Sequence, residues 1–115
     1  MVTDPATGVG EPIAVGDHGS MTTDITHQAD DAGGRYTLLL DGEAVGELDH
    51  RDQDGARTFT HTGVRTRHEG KGLAAELVRR GLDDARTEGV RVIPACSYVA
   101  TYLDRHPDDQ DLIAH

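Results

Sequence analysis

One stretch constrains the fold of this chain more than any other: Thr60-His61-Thr62-Gly63-Val64-Arg65-Thr66-Arg67-His68-Glu69-Gly70-Lys71-Gly72-Leu73. A strand-like run enters an Arg-x-x-Gly-x-Gly turn, and an amphipathic pattern begins at once behind it. A strand that feeds a helix through glycines builds an anion site. Backbone N–H groups converge there, and the helix dipole adds about half a positive charge. Glycines also let the main chain approach a phosphate with no Cβ in the way. The turn therefore predicts a phosphorylated ligand.

The flanking residues give the order of elements. Tyr36–Leu40 is a short apolar run between Gly33-Gly34 and Asp41-Gly42, and it reads as a strand. Asp41-Gly42 is a two-residue hairpin signal. Glu43–Asp49 then alternates as a half-buried return strand, Asp52–Gly55 is a polar turn, and Arg57–Val64 is a third strand. Leu73, Leu77, Val78, Leu82 and Ala85 form one helical stripe within a helix from Leu73 to Glu88, stopped by Gly89. Val90–Cys96 reads as a buried strand with Pro94 at a bulge, an edge or its end. Ser97 is placed to cap a second helix from Tyr98 to about Arg105, ahead of Pro107. Leu112-Ile113 is the apolar pair of an acidic tail and is a candidate to dock on the body. The order is β-β-β-α-β-α. It predicts an α+β domain: a mixed, mostly antiparallel sheet with a central right-handed βαβ crossover and two packed helices.

Composition narrows the function. A chain of 115 residues makes one domain with one modest core. Residues 1–33 carry few large apolar groups, so they are expected to be a largely disordered or extended N-terminal segment, with residues 34–115 as the domain. No apolar run reaches transmembrane length, and no signal-peptide core is evident, so a cytoplasmic protein without membrane association is expected. The net charge is −10, with 21 acidic against 11 basic residues, and Lys71 is the single lysine. No basic stripe is present to neutralise phosphates, so nucleic acid is not an expected partner. One cysteine, Cys96, rules out an intramolecular disulfide and a Cys-rich zinc cage, and the scattered histidines predict no metal site.

Two phosphate-binding motifs do not fit the turn. A Walker loop places its lysine after the second glycine, whereas Lys71 lies between Gly70 and Gly72. A dinucleotide fingerprint needs a third glycine and an acid at the end of the next strand, and Val90–Tyr98 contains no acid. At Arg67-His68-Glu69-Gly70-Lys71-Gly72 the chain resembles the GCN5-related N-acetyltransferases, whose signature of this form joins a central strand to a long helix. Thr60-His61-Thr62-x-Val64 before the turn strengthens the resemblance. So do Ile93-Pro94-Ala95-Cys96-Ser97-Tyr98-Val99, Tyr102 and Arg105-His106-Pro107 after it. Together these residues look like a compact single-domain branch of the family, and the resemblance covers roughly residues 35–113.

The resemblance implies that acetyl-coenzyme A lies between two splayed parallel strands. Its pyrophosphate would rest on Arg67, His68, Glu69, Gly70, Lys71 and Gly72 and on the helix start at Leu73. Its pantetheine arm would run along the strand ending at Val64, with Arg65, Cys96 and Tyr98 completing the cofactor-binding set. Two positions depart from the family pattern: Glu69, where many relatives carry a basic residue, and Gly63, where many carry Glu.

Acetyl transfer to an amine requires a base, because a free alkyl ammonium has a pKa of about 10. His61 is the first candidate base, and a strand histidine satisfied by solvent is the competing reading. Cys96 is a candidate acetyl acceptor, against simple buried packing. Tyr102 is the candidate acid for the leaving sulfur, against packing on the sheet. The expected function is acetyl transfer to an amine of a small molecule or protein by a monomer or weak homodimer. A coenzyme A-binding module with little turnover is the alternative.

Overall fold

The structure, a computed structural model, describes residues 22–114. The expected N-terminal tail lies outside those residues up to position 21, but its last part does not. Thr23–Asp30 forms strand β1, which pairs with β2 (Gly33–Leu40) along its whole length. The sequence reading missed β1 because Ile25 is its one large apolar residue. The strand is held by backbone pairing, and the Asp30 carboxylate accepts the N–H groups of Ala32 and Gly33 to close the turn. Gly33-Gly34, read as a boundary, belongs to β2 and makes close approach possible. A Cβ on Gly34 would stand 2.4 Å from the Gln28 carbonyl oxygen.

Strands β3 (Glu43–Gln53) and β4 (Ala56–Val64) continue the antiparallel meander. Asp41 and Gly42 both adopt positive φ (52° and 86°), as the Asp-Gly hairpin signal requires. Asp54 and Gly55 repeat that geometry between β3 and β4. Helix α1 (Leu73–Glu88) then crosses the sheet, and β5 (Arg91–Pro94) returns parallel to β4. The sheet order is β1-β2-β3-β4-β5. Helix α2 (Ser97–Asp104) follows, with Cys96 as its N-cap residue and Ser97 already helical, which corrects the capping role expected of Ser97. Leu112 is buried, and Ile113 bridges to Val92, so the apolar pair near the C-terminus does dock on the body.

The core lies between one sheet face and the helices. Tyr36, Leu38, Leu48 and Phe59 meet Leu77, Val78, Leu82 and Ala85 of α1 and Val99 and Leu103 of α2. Gly81 brings α1 down onto the sheet, since a Cβ there would stand 2.8 Å from Leu48 Cδ2.

One end of the sheet is tied by buried polar groups. The buried Arg57 guanidinium donates to both Asp52 (2.9 and 3.2 Å) and Glu88 (2.9 and 3.3 Å). His50, also buried, engages Asp52 through Nδ1 at 2.9 Å. Its Nε2 lies 2.9 Å from Nε2 of His27 on β1, and the His27 ring stacks on Tyr36 at 3.9 Å. Two imidazole nitrogens that face each other share one proton. With His50 Nδ1–H donating to Asp52, His50 Nε2 accepts from His27. Both rings cannot be cationic in this arrangement. Burial, together with the nearby His50 and Arg57, holds the His27 pKa below the ordinary 6.5. The unfolded chain therefore takes up this proton first. Stability from this group is full above about pH 6.5 and falls as pH drops below that value. Urea midpoints measured from about pH 8 down to about pH 5 should show this loss. His27→Gln, which keeps an N–H donor, should flatten the dependence.

Candidate active site

Strand β4 leads into a short 3-10 turn, Thr66–His68, and then into the two glycines. Gly70 and Gly72 hold φ of 83° and 77°, a left-handed conformation that glycine adopts without strain. Gly72 is the N-cap of α1 and no side chain caps the helix. The first N–H to find a helical carbonyl is that of Glu76, which donates to Gly72 O at 3.2 Å. The N–H groups of Leu73, Ala74 and Ala75 ahead of it have no partner among the described residues. Nothing lies within 4 Å of a Cβ placed on either glycine, so the cradle is open.

Beside the cradle the sheet splits. The parallel pairing of β4 and β5 ends at Phe59–Pro94, and Cys96 N–H makes the last backbone link, to Phe59 O at 2.9 Å. Beyond it the outer edge of β4 has no backbone partner among the described residues. Arg65 N–H donates inward to Val45 O. By strand alternation Val64 N–H faces the opposite edge, into the gap. A cleft of about 480 Å³ fills the gap, lined by Thr62, Gly63, Val64, Gly70, Leu73 and Tyr98 among others. It meets a second cleft of about 380 Å³ between α1 and α2 at Gly72 and Tyr98.

A β-bulge decides which side chains enter this gap. His50 pairs with Phe59 and Asp49 pairs with His61, so Thr60 is an extra residue in β4. After the bulge, Thr62 turns toward the helices and touches Cys96, with Sγ and Oγ1 3.3 Å apart. His61 and Gly63 turn to the open face. There His61 Nε2 bonds the Glu47 carboxylate at 2.9 Å.

These positions sort the expected site residues. Val64, His68, Glu69, Gly70, Gly72, Leu73 and Tyr98 gather at the first cleft. Lys71 Nζ lies 3.3 Å from His68 Nδ1, at the rim of the cradle. Arg67 is ion-paired to Glu43, and Arg65 donates to Ala44 O, lining a third cleft of about 500 Å³ on the open face. Arg65 therefore sits apart from the glycine cradle. Glu69 forms no ion pair among the described residues. Tyr102 lines the second cleft with Arg79 and Arg105 and stacks on His106 at 3.8 Å. Its phenol is raised above the usual range by burial and by Asp109, so it holds its proton at neutral pH. His61 leaves β4 on the open face, whereas Cys96, the cap of α2, meets Thr62 on the other face, so the two do not meet.

Cys96 sits where its thiol is made more acidic than usual. Burial pushes its pKa up, but hydrogen bonding with Thr62 and with the N–H groups of Val99 and Tyr98 outweighs this and holds the thiol below its ordinary value. Glu47 is the residue that sequence reasoning missed. Its alternation in β3 signalled an outward side chain, but only the register sets it opposite Gly63.

A family model for the GCN5-related N-acetyl-transferases matches residues 35–112. The chain belongs to this family. Among solved structures it is similar to a GCN5-like protein from Staphylococcus aureus, at 24% identity and TM-score 0.62, over 79% of this chain and 87% of that one. It is also similar to the ribosomal-protein-S18-alanine N-acetyltransferase of Escherichia coli, at 16% identity and TM-score 0.56, over 67% of this chain and 52% of that one. A ribosomal-protein-alanine N-acetyltransferase of Brucella melitensis matches at 22% identity and TM-score 0.52, over 75% of this chain and 64% of that one. At these identities the likeness is one of fold, and the chain spans about half to two thirds of the two larger enzymes. The acyl donor of GCN5-related acetyltransferases is acetyl-coenzyme A. The unpaired N–H groups at the α1 start fit its pyrophosphate, and the free β4 edge fits an extended arm that can pair as a strand does.

Two outcomes follow from this geometry. Thr62→Val removes the hydroxyl partner of Cys96 and should move the pH midpoint of its alkylation by iodoacetamide upward. Gly72→Ala puts a Cβ on a left-handed residue and should cost about 1–2 kcal/mol in urea unfolding, while weakening acetyl-coenzyme A binding measured by calorimetry.

Proposed function

We propose that this chain binds acetyl-coenzyme A across the joined clefts and transfers the acetyl group to a primary amine of a small molecule or protein. The observation that carries the reading is the parallel pair β4–β5, which parts beside a helix start whose N–H groups are unpaired. When bound, the cofactor supplies an activated thioester carbon. The chain's own groups supply the rest. The Leu73–Ala75 N–H groups hold the pyrophosphate, helped by Lys71 at the rim. The Val64 N–H is available to the carbonyl oxygen on which charge develops. His61, about half exposed, takes a proton from the acceptor ammonium and releases it to solvent. Tyr102 stays protonated and can return a proton to the leaving sulfur through the second cleft.

One observation favours a second reading, a coenzyme A-binding module with little turnover. His61 turns to the open face and lines neither of the joined clefts proposed for the cofactor, so the candidate base stands apart from them. Thioester loss with and without amines, measured on wild type, His61→Ala and Cys96→Ala, separates the readings. Transferase action predicts that His61→Ala lowers kcat/KM by roughly a hundredfold or more. An acetylated protein seen by mass spectrometry in wild type and absent in Cys96→Ala would give Cys96 a covalent role. Binding without thioester loss on any amine would favour the module, and no binding would overturn both.

A further inference from the structure

The open face beside the site has a carboxylate in place of a missing side chain. A Cβ built on Gly63 would stand 2.5 Å from Glu47 Oε2 and 3.1 Å from His61 Nε2. Gly63 is not among the glycines with positive φ, so its backbone does not demand glycine. The space there is occupied by Glu47, which lies directly opposite Gly63 in the β3–β4 register. Its carboxylate can only accept. The 2.9 Å contact therefore puts a proton on His61 Nε2 and leaves Nδ1 of the neutral ring bare. Gly63 and Val64 line both the cofactor cleft and the open-face cleft, so the two clefts adjoin where β4 has no side chain.

We infer that Glu47 is the positioning residue of the transfer site. From β3 it replaces a side chain that β4 lacks at Gly63, and it fixes His61 with Nδ1 free to take a proton from an amine entering by the open face. The inference rests on the transferase reading above. The proton balance is closed: the ammonium loses two protons as its nitrogen bonds the acetyl carbon and the carbon–sulfur bond breaks. One goes to His61 and on to solvent, and the other goes to the departing sulfur. The His61 and Glu47 side chains are 52% and 34% exposed, so their hydrogen bond adds little to stability and its loss should not unfold the domain.

The test moves the carboxylate from one strand to the other. With acetyl-coenzyme A and n-butylamine, Glu47→Ala should lower kcat roughly tenfold or more, leaving the KM for acetyl-coenzyme A and the melting temperature unchanged. The double variant Glu47→Ala/Gly63→Glu should recover most of that loss, because its Cβ enters the space Glu47 vacates, beside His61, and its carboxylate can turn back to Nε2. Long-range nitrogen–proton NMR spectra should show the His61 proton on Nε2 in wild type. Wild-type kcat in Glu47→Ala, no recovery in the double variant, or a wild-type proton on Nδ1 would each overturn the assignment. A wild type inactive on every amine would overturn the transferase reading instead, and the imidazole spectrum would then judge the pair alone.

Discussion

The site depends on where the parallel contact between β4 and β5 stops. Proline has no N–H to extend a ladder, and β5 ends at Pro94. The chain then folds back, with Ala95 N–H bonding Ile93 O and Cys96 N–H closing onto Phe59 O, before it enters α2. From Thr62 onward β4 keeps β3 on one side and, among the described residues, has no strand on the other. A single extra residue, Thr60, then assigns faces. Thr62 goes to the thiol, and His61 and Gly63 go to the open side. Had β4 continued without the bulge, the two sets would have exchanged faces.

Unpaired backbone donors and a buried polar network sit at opposite ends of the sheet. At the glycine end, helix α1 starts with no capping side chain, which leaves donors for a ligand. At the far end, Arg57 is buried yet held by two carboxylates, and His50, Asp52 and His27 extend the network to β1. Removing a charge from water is costly, and paired carboxylates offset that cost. The network joins β1, β3, β4 and α1 at the end of the sheet away from the unpaired helix start.

Much of this was legible in the chain itself. The stripe Leu73–Ala85 and Gly89 set α1 at its observed bounds. Asp41-Gly42 marked its hairpin, and the glycine turn lies between strand and helix as its spacing required. β1 was not legible, because Thr23–Asp30 offers one large apolar residue and gains its place by backbone pairing with β2. Cys96 was read at a strand end, but β5 stops at Pro94 and Cys96 lies two residues beyond it, as the cap of α2. Arg65 shares a motif with Arg67 but reaches back to Ala44 O, a contact that depends on β3 being its neighbour.

The sequence alone determined the order of elements from β2 onward, the glycine turn between strand and helix and the kinship that its motifs carry. These rest on side-chain period, glycine geometry and helix ends, all of which act within a few residues. Only the tertiary structure decided that Glu47 meets His61, that Cys96 faces Thr62, and that β1 belongs to the sheet. Those outcomes turn on register and on one bulged residue. They are set by backbone hydrogen bonds between distant segments, and the backbone is chemically alike at every position but proline.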